Sequence, residues 1–199
     1  RDIKKIYQIS KKFRSKIYVN YMRSTMNGFN ELKEFVMSNR GRFNGITFYR
    51  GSILNDASHY INLFQNIFGK IINYNKEYLN PKSKNLRSFS LYFKKGVIKF
   101  IHLNNVEYNN SRFDIFFNRK SICYNSDHDI LKFSNITKNK IYNNSILNKK
   151  SYRVVKLDFK NVQMQITNQI DKMKKNKKNN LVSIENAIDT MKIISKLHE

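Results

Sequence analysis

The sequence predicts an α+β fold: two packed, mainly antiparallel sheets around a cleft, with N-terminal helices and a C-terminal amphipathic helix. Three observations carry this expectation. Residues 1–40 place apolar side chains at helical spacing, six β-branched and aromatic runs follow between 46 and 159, and residues 182–197 return to helical spacing.

Taken in order, Ile3, Ile6 and Tyr7, then Phe13, Ile17 and Tyr21, recur on common faces, and Phe29, Leu32, Phe35 and Val36 form a further short amphipathic stretch. The runs at 46–49, 71–74, 97–103, 113–117, 130–133 and 152–159 read as strands, with a helix at 60–68 and Asn- and Ser-rich loops between them. Leu91-Tyr92-Phe93 reads as a helical turn. Residues 172–180, Lys-Met-Lys-Lys-Asn-Lys-Lys-Asn-Asn, form a charge run with a solvated linker's composition. Beyond it, Ile184, Ala187, Ile188, Met191, Ile194 and Leu197 make an apolar stripe capped by Ser183, suited to docking on the domain or on a partner. The chain divides into an N-terminal helical part (1–40), a β-rich core (41–160) and a basic linker with a C-terminal helix (161–199).

Composition bounds the function classes. With 40% hydrophobic residues and 27 Phe and Tyr, the 199 residues can bury a core. The net charge of +24 attracts polyanions such as nucleic acid, acidic protein surfaces or anionic membrane. Its origin reads as mutational, since 29 Asn, 28 Lys against 10 Arg, two Ala and one Pro look like an AT-rich genome. The single cysteine, Cys123, excludes an internal disulfide framework, and no apolar run approaches the ~20 residues of a transmembrane helix. The start at Arg1 without Met fits a removed leader or upstream domain. Compartment is left open between secreted, organellar and cytoplasmic. No Gly-x-Gly-x-x-Gly or Gly-Lys-Ser/Thr loop occurs, no HExxH spacing, and His59, His102 and His198 show no relation to a nucleophile.

Two short segments carry the chemistry. Ile46-Thr47-Phe48-Tyr49-Arg50-Gly51 reads as a strand delivering an arginine to a glycine turn, and Tyr124-Asn125-Ser126-Asp127-His128-Asp129-Ile130-Leu131 reads as a loop with an aromatic and two acids, i and i+2, entering a strand. This order resembles the mono-ADP-ribosyltransferases, whose pattern is Arg, then Ser-Thr-Ser, then Glu-x-Glu. Tyr18-Val19-Asn20-Tyr21-Met22-Arg23, Phe68-Gly69-Lys70-Ile71-Ile72-Asn73-Tyr74-Asn75 and the run 96–103 extend the resemblance over residues 15–159.

The resemblance implies an NAD-type cleft, NAD as substrate, a protein acceptor and no metal. Arg50 and Gly51 would hold NAD, with Asn80 in the place of the first serine. Asp129 would stand for the catalytic acid, Asp127 for the acceptor-selecting acid, and Tyr124 for the acceptor-facing aromatic. Asn80-Pro81-Lys82 replaces Ser-Thr-Ser, and Asp127-His128-Asp129 replaces Glu-x-Glu with acids one methylene shorter. These replacements imply a weak transferase or a pseudoenzyme. Arg50 and Asp129 are expected to face the cleft from neighbouring strands. The alternative from charge and aromatics is a non-enzymatic RNA-binding component of a ribonucleoprotein, such as an organellar ribosome.

Overall fold

The computed structural model describes residues 2–39, 41–77, 88–103, 106–107, 111–138, 145–147 and 153–198. Helices α1 (Asp2–Lys12), α2 (Met22–Thr25) and α3 (Asn27–Ser38) come first, with a short strand β1 (Tyr18–Val19) between α1 and α2. Strand β2 (Phe43–Tyr49) is followed by a π-helical turn (Ile53–Ala57) that runs directly into α4 (Ser58–Phe68). The β-rich part continues with β3 (Ile71–Glu77), β4 (Ser88–Phe93), β5 (Gly96–His102), β6 (Arg112–Phe117), β7 (Lys120–Asn125), β8 (Ile130–Lys138), β9 (Ser145–Leu147) and β10 (Arg153–Lys156). Helix α5 (Val162–Lys174), β11 (Val182–Ser183) and α6 (Ile184–His198) close the chain.

The α+β class holds, but one mixed sheet stands where two packed sheets were expected. Its order is β10-β8-β7-β6-β2-β5-β4-β3, with β9 pairing the far half of β8, while β1 and β11 make a separate ribbon. Among the described residues only β2 and β5 pair in parallel; the other pairs are antiparallel. The connection between them passes through α4 and the β3–β4 pair, which turns the chain back to the same end of the sheet. Residues 91–93, expected as a helical turn, belong to β4, because Phe89, Leu91 and Phe93 alternate onto the core face. Residues 120–125 form β7, so Tyr124 and Asn125 end a strand rather than open a loop. Of the expected linker, the first three residues close α5.

One sheet face is covered. Phe43, Tyr49, Phe89, Phe100, Phe113, Ile115, Ile122, Tyr124 and Leu131 turn inward to meet Phe29 and Leu32 of α3 and Ile61, Phe64 and Ile67 of α4. Phe64 meets Phe100 and Phe113 edge-on, with ring centroids 5.9 and 5.3 Å apart, and Phe43 stacks on Phe68 at 4.0 Å. Each such ring contributes about 2–3 kcal/mol by leaving water. Helix α6 lies on α4 and adds Ile194 and Leu197 to the same core, so its stripe is covered by this chain. A polar seam joins the helices: Ser24 donates to Asn62 Oδ1 at 2.7 Å, and Asn62 Nδ2 donates to Thr190 Oγ1 at 3.0 Å. On the opposite sheet face Phe116 and Tyr92 are exposed, and the Arg112 guanidinium lies over Phe48 at 4.6 Å.

Candidate functional site

Strand directions gather one set of strand ends at a single edge. The C-terminal ends of β2, β5 and β7 and the N-terminal ends of β6 and β8 lie together, as the pairs Tyr49↔His102, Phe48↔Arg112, Arg112↔Asn125 and Asn125↔Ile130 require. The π-helical turn caps this edge. Ser52 Oγ accepts from the Asn55 N–H at 3.0 Å and starts the turn, which delivers Asp56 and then His59 in the first turn of α4. Asp56 Oδ2 accepts from the N–H groups of Arg50 and Gly51 at 3.1 and 3.4 Å, so the acid ties β2 to the turn.

Below Asp56, polar side chains collect inside an aromatic shell. The Arg23 guanidinium lies over the Tyr60 ring at 4.3 Å, Tyr60 and Tyr124 ring centroids are 6.3 Å apart, and Tyr21 meets His59 edge-on at 5.5 Å. Tyr60 is wholly buried, whereas Arg23, His59, Ser126 and Asp129 keep partial exposure. Burial, reinforced by the Arg23 charge, lowers the pKa of His59 from its ordinary value. Burial raises the Tyr60 and Tyr124 hydroxyl pKa values, so both are neutral donors. A neutral histidine beside a fixed cation and neutral hydroxyls can take a proton from a ligand held against the cation. Among the described residues no group of three or more His, Cys, Asp or Glu is placed to hold a metal.

The residues singled out from the sequence spread along this edge. Arg50 is exposed; its carbonyl accepts from His102 Nε2 at 2.6 Å. Gly51 lies in the exposed turn beside it, and Asn80 lies outside the described residues. Tyr124 is 1% exposed and packs on Phe113 and Phe29, so its ring is core. Asp127 occupies the exposed tip of the β7–β8 turn, its N–H donating to Asn125 Oδ1 at 2.7 Å. Asp129 closes that turn at φ +48°, and its carbonyl accepts from the Leu157 N–H at 2.7 Å. Two strands, β6 and β7, stand between Arg50 and Asp129, which do not rise from neighbouring strands.

Sequence reasoning missed His59, Arg23 and Tyr60 as one constellation. A signal was present in Asp56-Ala57-Ser58-His59, an acid and a histidine at the mouth of an apolar helix. The partner arginine is supplied from 36 residues earlier, which no local pattern shows.

No protein-family profile and no curated protein matches the sequence. Solved structures do match, at identities that establish fold alone. A UDP-N-acetylglucosamine 3-dehydrogenase from Acidithiobacillus ferrooxidans superposes with a TM-score of 0.72 at 8% identity, covering 98% of this chain and 64% of that one. An oxidoreductase from Agrobacterium radiobacter, in complex with NAD+, L-tartaric acid and magnesium, gives 0.62 at 13% identity, covering 95% and 64%. A super-repressor mutant of Gal80p from Saccharomyces cerevisiae gives 0.73 at 9% identity, covering 98% and 66%. The chain thus spans slightly less than two thirds of the length of these proteins. The fold is shared with these proteins, and this overturns the resemblance to mono-ADP-ribosyltransferases and the transferase activity it implied.

Proposed function

We propose that this chain is the substrate-side domain of an oxidoreductase acting on a hydroxyl-bearing small molecule, with the cluster of Arg23, His59 and Tyr60 as its substrate site. The observation that carries this reading is His59: partly exposed, kept neutral by burial and by Arg23, and fixed by the π-helical turn at the end of a rigid sheet. Its imidazole accepts the hydroxyl proton, Arg23 and Tyr60 orient the molecule, and the aromatic shell limits water. The similar structures support the class, since they include a sugar-nucleotide dehydrogenase and a complex with a hydroxy acid.

A dinucleotide does not fit the described residues. A doubly wound parallel sheet with a glycine-rich first turn is the usual cradle, whereas this sheet has one parallel pair and no such turn. The amides at the Arg50–Gly51 turn, which a phosphate would need, are taken by Asp56 Oδ2, and a carboxylate there repels phosphate. No residue of this chain is therefore assigned to NAD(P), and the NAD-type cleft expected from the sequence is not part of the proposal.

The test is NAD(P)+ reduction, followed at 340 nm, by the native polypeptide that carries this chain, against a panel of polyols and hydroxy acids. Turnover of at least one member that falls by about 10²-fold or more in His59→Asn is expected for loss of a general base. Turnover unchanged in His59→Asn, or none across the panel, would remove the reading.

A further inference from the structure

Five buried side-chain polar atoms among the described residues have no hydrogen-bond partner: Arg23 Nε, Thr47 Oγ1, His59 Nδ1, Tyr60 OH and Ser126 Oγ. Four of them fall in the cluster described above. Arg23 lies on the Tyr60 ring and beside His59, Tyr60 lies within reach of Ser111, and the Ser126 N–H donates to the Ser111 carbonyl at 3.2 Å. Native interiors leave few such groups, and although Arg23, Ser111 and Tyr124 interact with Tyr60, none makes a well-formed hydrogen bond to its hydroxyl.

The Arg23 charge has no ion-pair partner among the described residues. The ion pairs among the described residues, Lys99–Glu77, Arg153–Glu31 and Lys192–Asp189, involve none of these groups. Asp56 favours the charged form of Arg23 at a distance, after Tyr60 and Tyr124, but forms no ion pair with it and is held by the Arg50 and Gly51 amides. A partly buried guanidinium without a carboxylate is costly unless it gains one. The Tyr60 and Ser126 hydroxyls can donate as well, so beside Asp56 and Asp129 the cluster holds one guanidinium and two hydroxyl donors.

We propose that this cluster binds the carboxylate of a small organic acid, Arg23 pairing with the carboxylate, Tyr60 and Ser126 donating to it, and the ligand's hydroxyl facing His59. The inference rests on the substrate-side reading above and names its substrate class. A planar monoanion matches a single planar guanidinium, whereas a phosphate dianion would need a second cation, which a neutral His59 does not supply.

The test compares D-glycerate with glycerol, which differ by the carboxylate, and with inorganic phosphate, each titrated at constant ionic strength into the 199-residue chain while the His59 ring signals are followed by NMR. Saturable glycerate binding is expected, at least tenfold tighter than glycerol, by the value of a charge-assisted hydrogen bond, about 1.5–3 kcal/mol. Arg23→Gln should weaken glycerate at least about tenfold and Arg23→Lys by less. Tyr60→Phe keeps the ring under Arg23 and removes only the hydroxyl, and should weaken glycerate in a protein that folds normally. Equal binding of glycerol and glycerate, tighter binding of phosphate, or glycerate affinity indifferent to Arg23→Gln and Tyr60→Phe would overturn the assignment. Glycerate binding without any NAD(P)+-linked oxidation by the native polypeptide supports the carboxylate site and removes the oxidoreductase reading. Oxidation of neutral polyols without glycerate binding does the reverse.

Discussion

His59 and Asp56 sit three residues apart on one turn yet do different work, because their partners differ. Asp56 is satisfied by two backbone N–H groups and is structural, so Asp56→Ala should cost about 1–2 kcal/mol in urea unfolding, at the lower end of charged hydrogen bonds because the site is partly exposed. His59 has a folded pKa below the unfolded value of 6.5, so the unfolded chain binds more protons near that pH. Its contribution is therefore present above pH 6.5 and is lost as pH falls from there toward the lowered folded value. His59→Gln should flatten the fall in stability on the acid side of 6.5 relative to the parent, measured by urea midpoints across that range. An equal fall in the variant would show that His59 is not held neutral. Cys123, with burial first among the causes, is pushed up to about 11 and is correspondingly unreactive as a nucleophile.

At the scale of elements, the joint between α2, α4 and α6 depends on Asn62, which accepts from Ser24 and donates to Thr190 while 1% exposed. Asn62→Ala removes the acceptor of the Ser24 hydroxyl, while Thr190 keeps Gln65 and Asn186, and should cost about 1–2 kcal/mol, read as a lower urea midpoint with an unchanged slope. A loss under 0.5 kcal/mol, the scatter of ordinary surface changes, would contradict the seam's importance. Which elements were legible follows from how locally their pattern is written. Strands β2, β5 and β6 and helices α4 and α6 alternate or repeat cleanly, and their apolar residues alone place them. Strand β4 was hidden because Ser88 and Ser90 are buried too, Ser88 Oγ accepting from the His102 N–H, so both faces of its first half are inside. Strand β7 was hidden because Tyr124 resembled a loop aromatic, although Ile122 and Tyr124 alternate inward. Helix α5 is weakly apolar, with Gln165 and Gln169 among its buried residues, so polarity disguised it as linker. The site was least legible of all, because it depends on the β2/β5 parallel pair and on Arg23 arriving from α2, neither of which a local pattern records.

Across the whole molecule, one large sheet with helices on one face carries a net charge of +24, set mostly by exposed lysines, and this separates two kinds of anion binding. Adsorption of heparin or generic RNA to the surface should fall by decades between about 50 and 200 mM salt. Glycerate binding at the partly buried Arg23 should fall far less, since salt screens exposed charges more than buried ones. A common salt slope for both would place glycerate on the surface lysines. The proposed function places the chemistry with Arg23, His59 and Tyr60 rather than with the Arg50 and Asp129 pair. The most direct measurement is kcat/KM for NAD(P)+-linked oxidation of a hydroxy acid by the native polypeptide, with His59→Asn and Arg23→Gln set against Arg50→Gln and Asp129→Asn. The account predicts losses of about 10²-fold or more for the first two and changes within a few-fold for the second two, which remove no group placed at the substrate. Losses confined to Arg50→Gln and Asp129→Asn would contradict it.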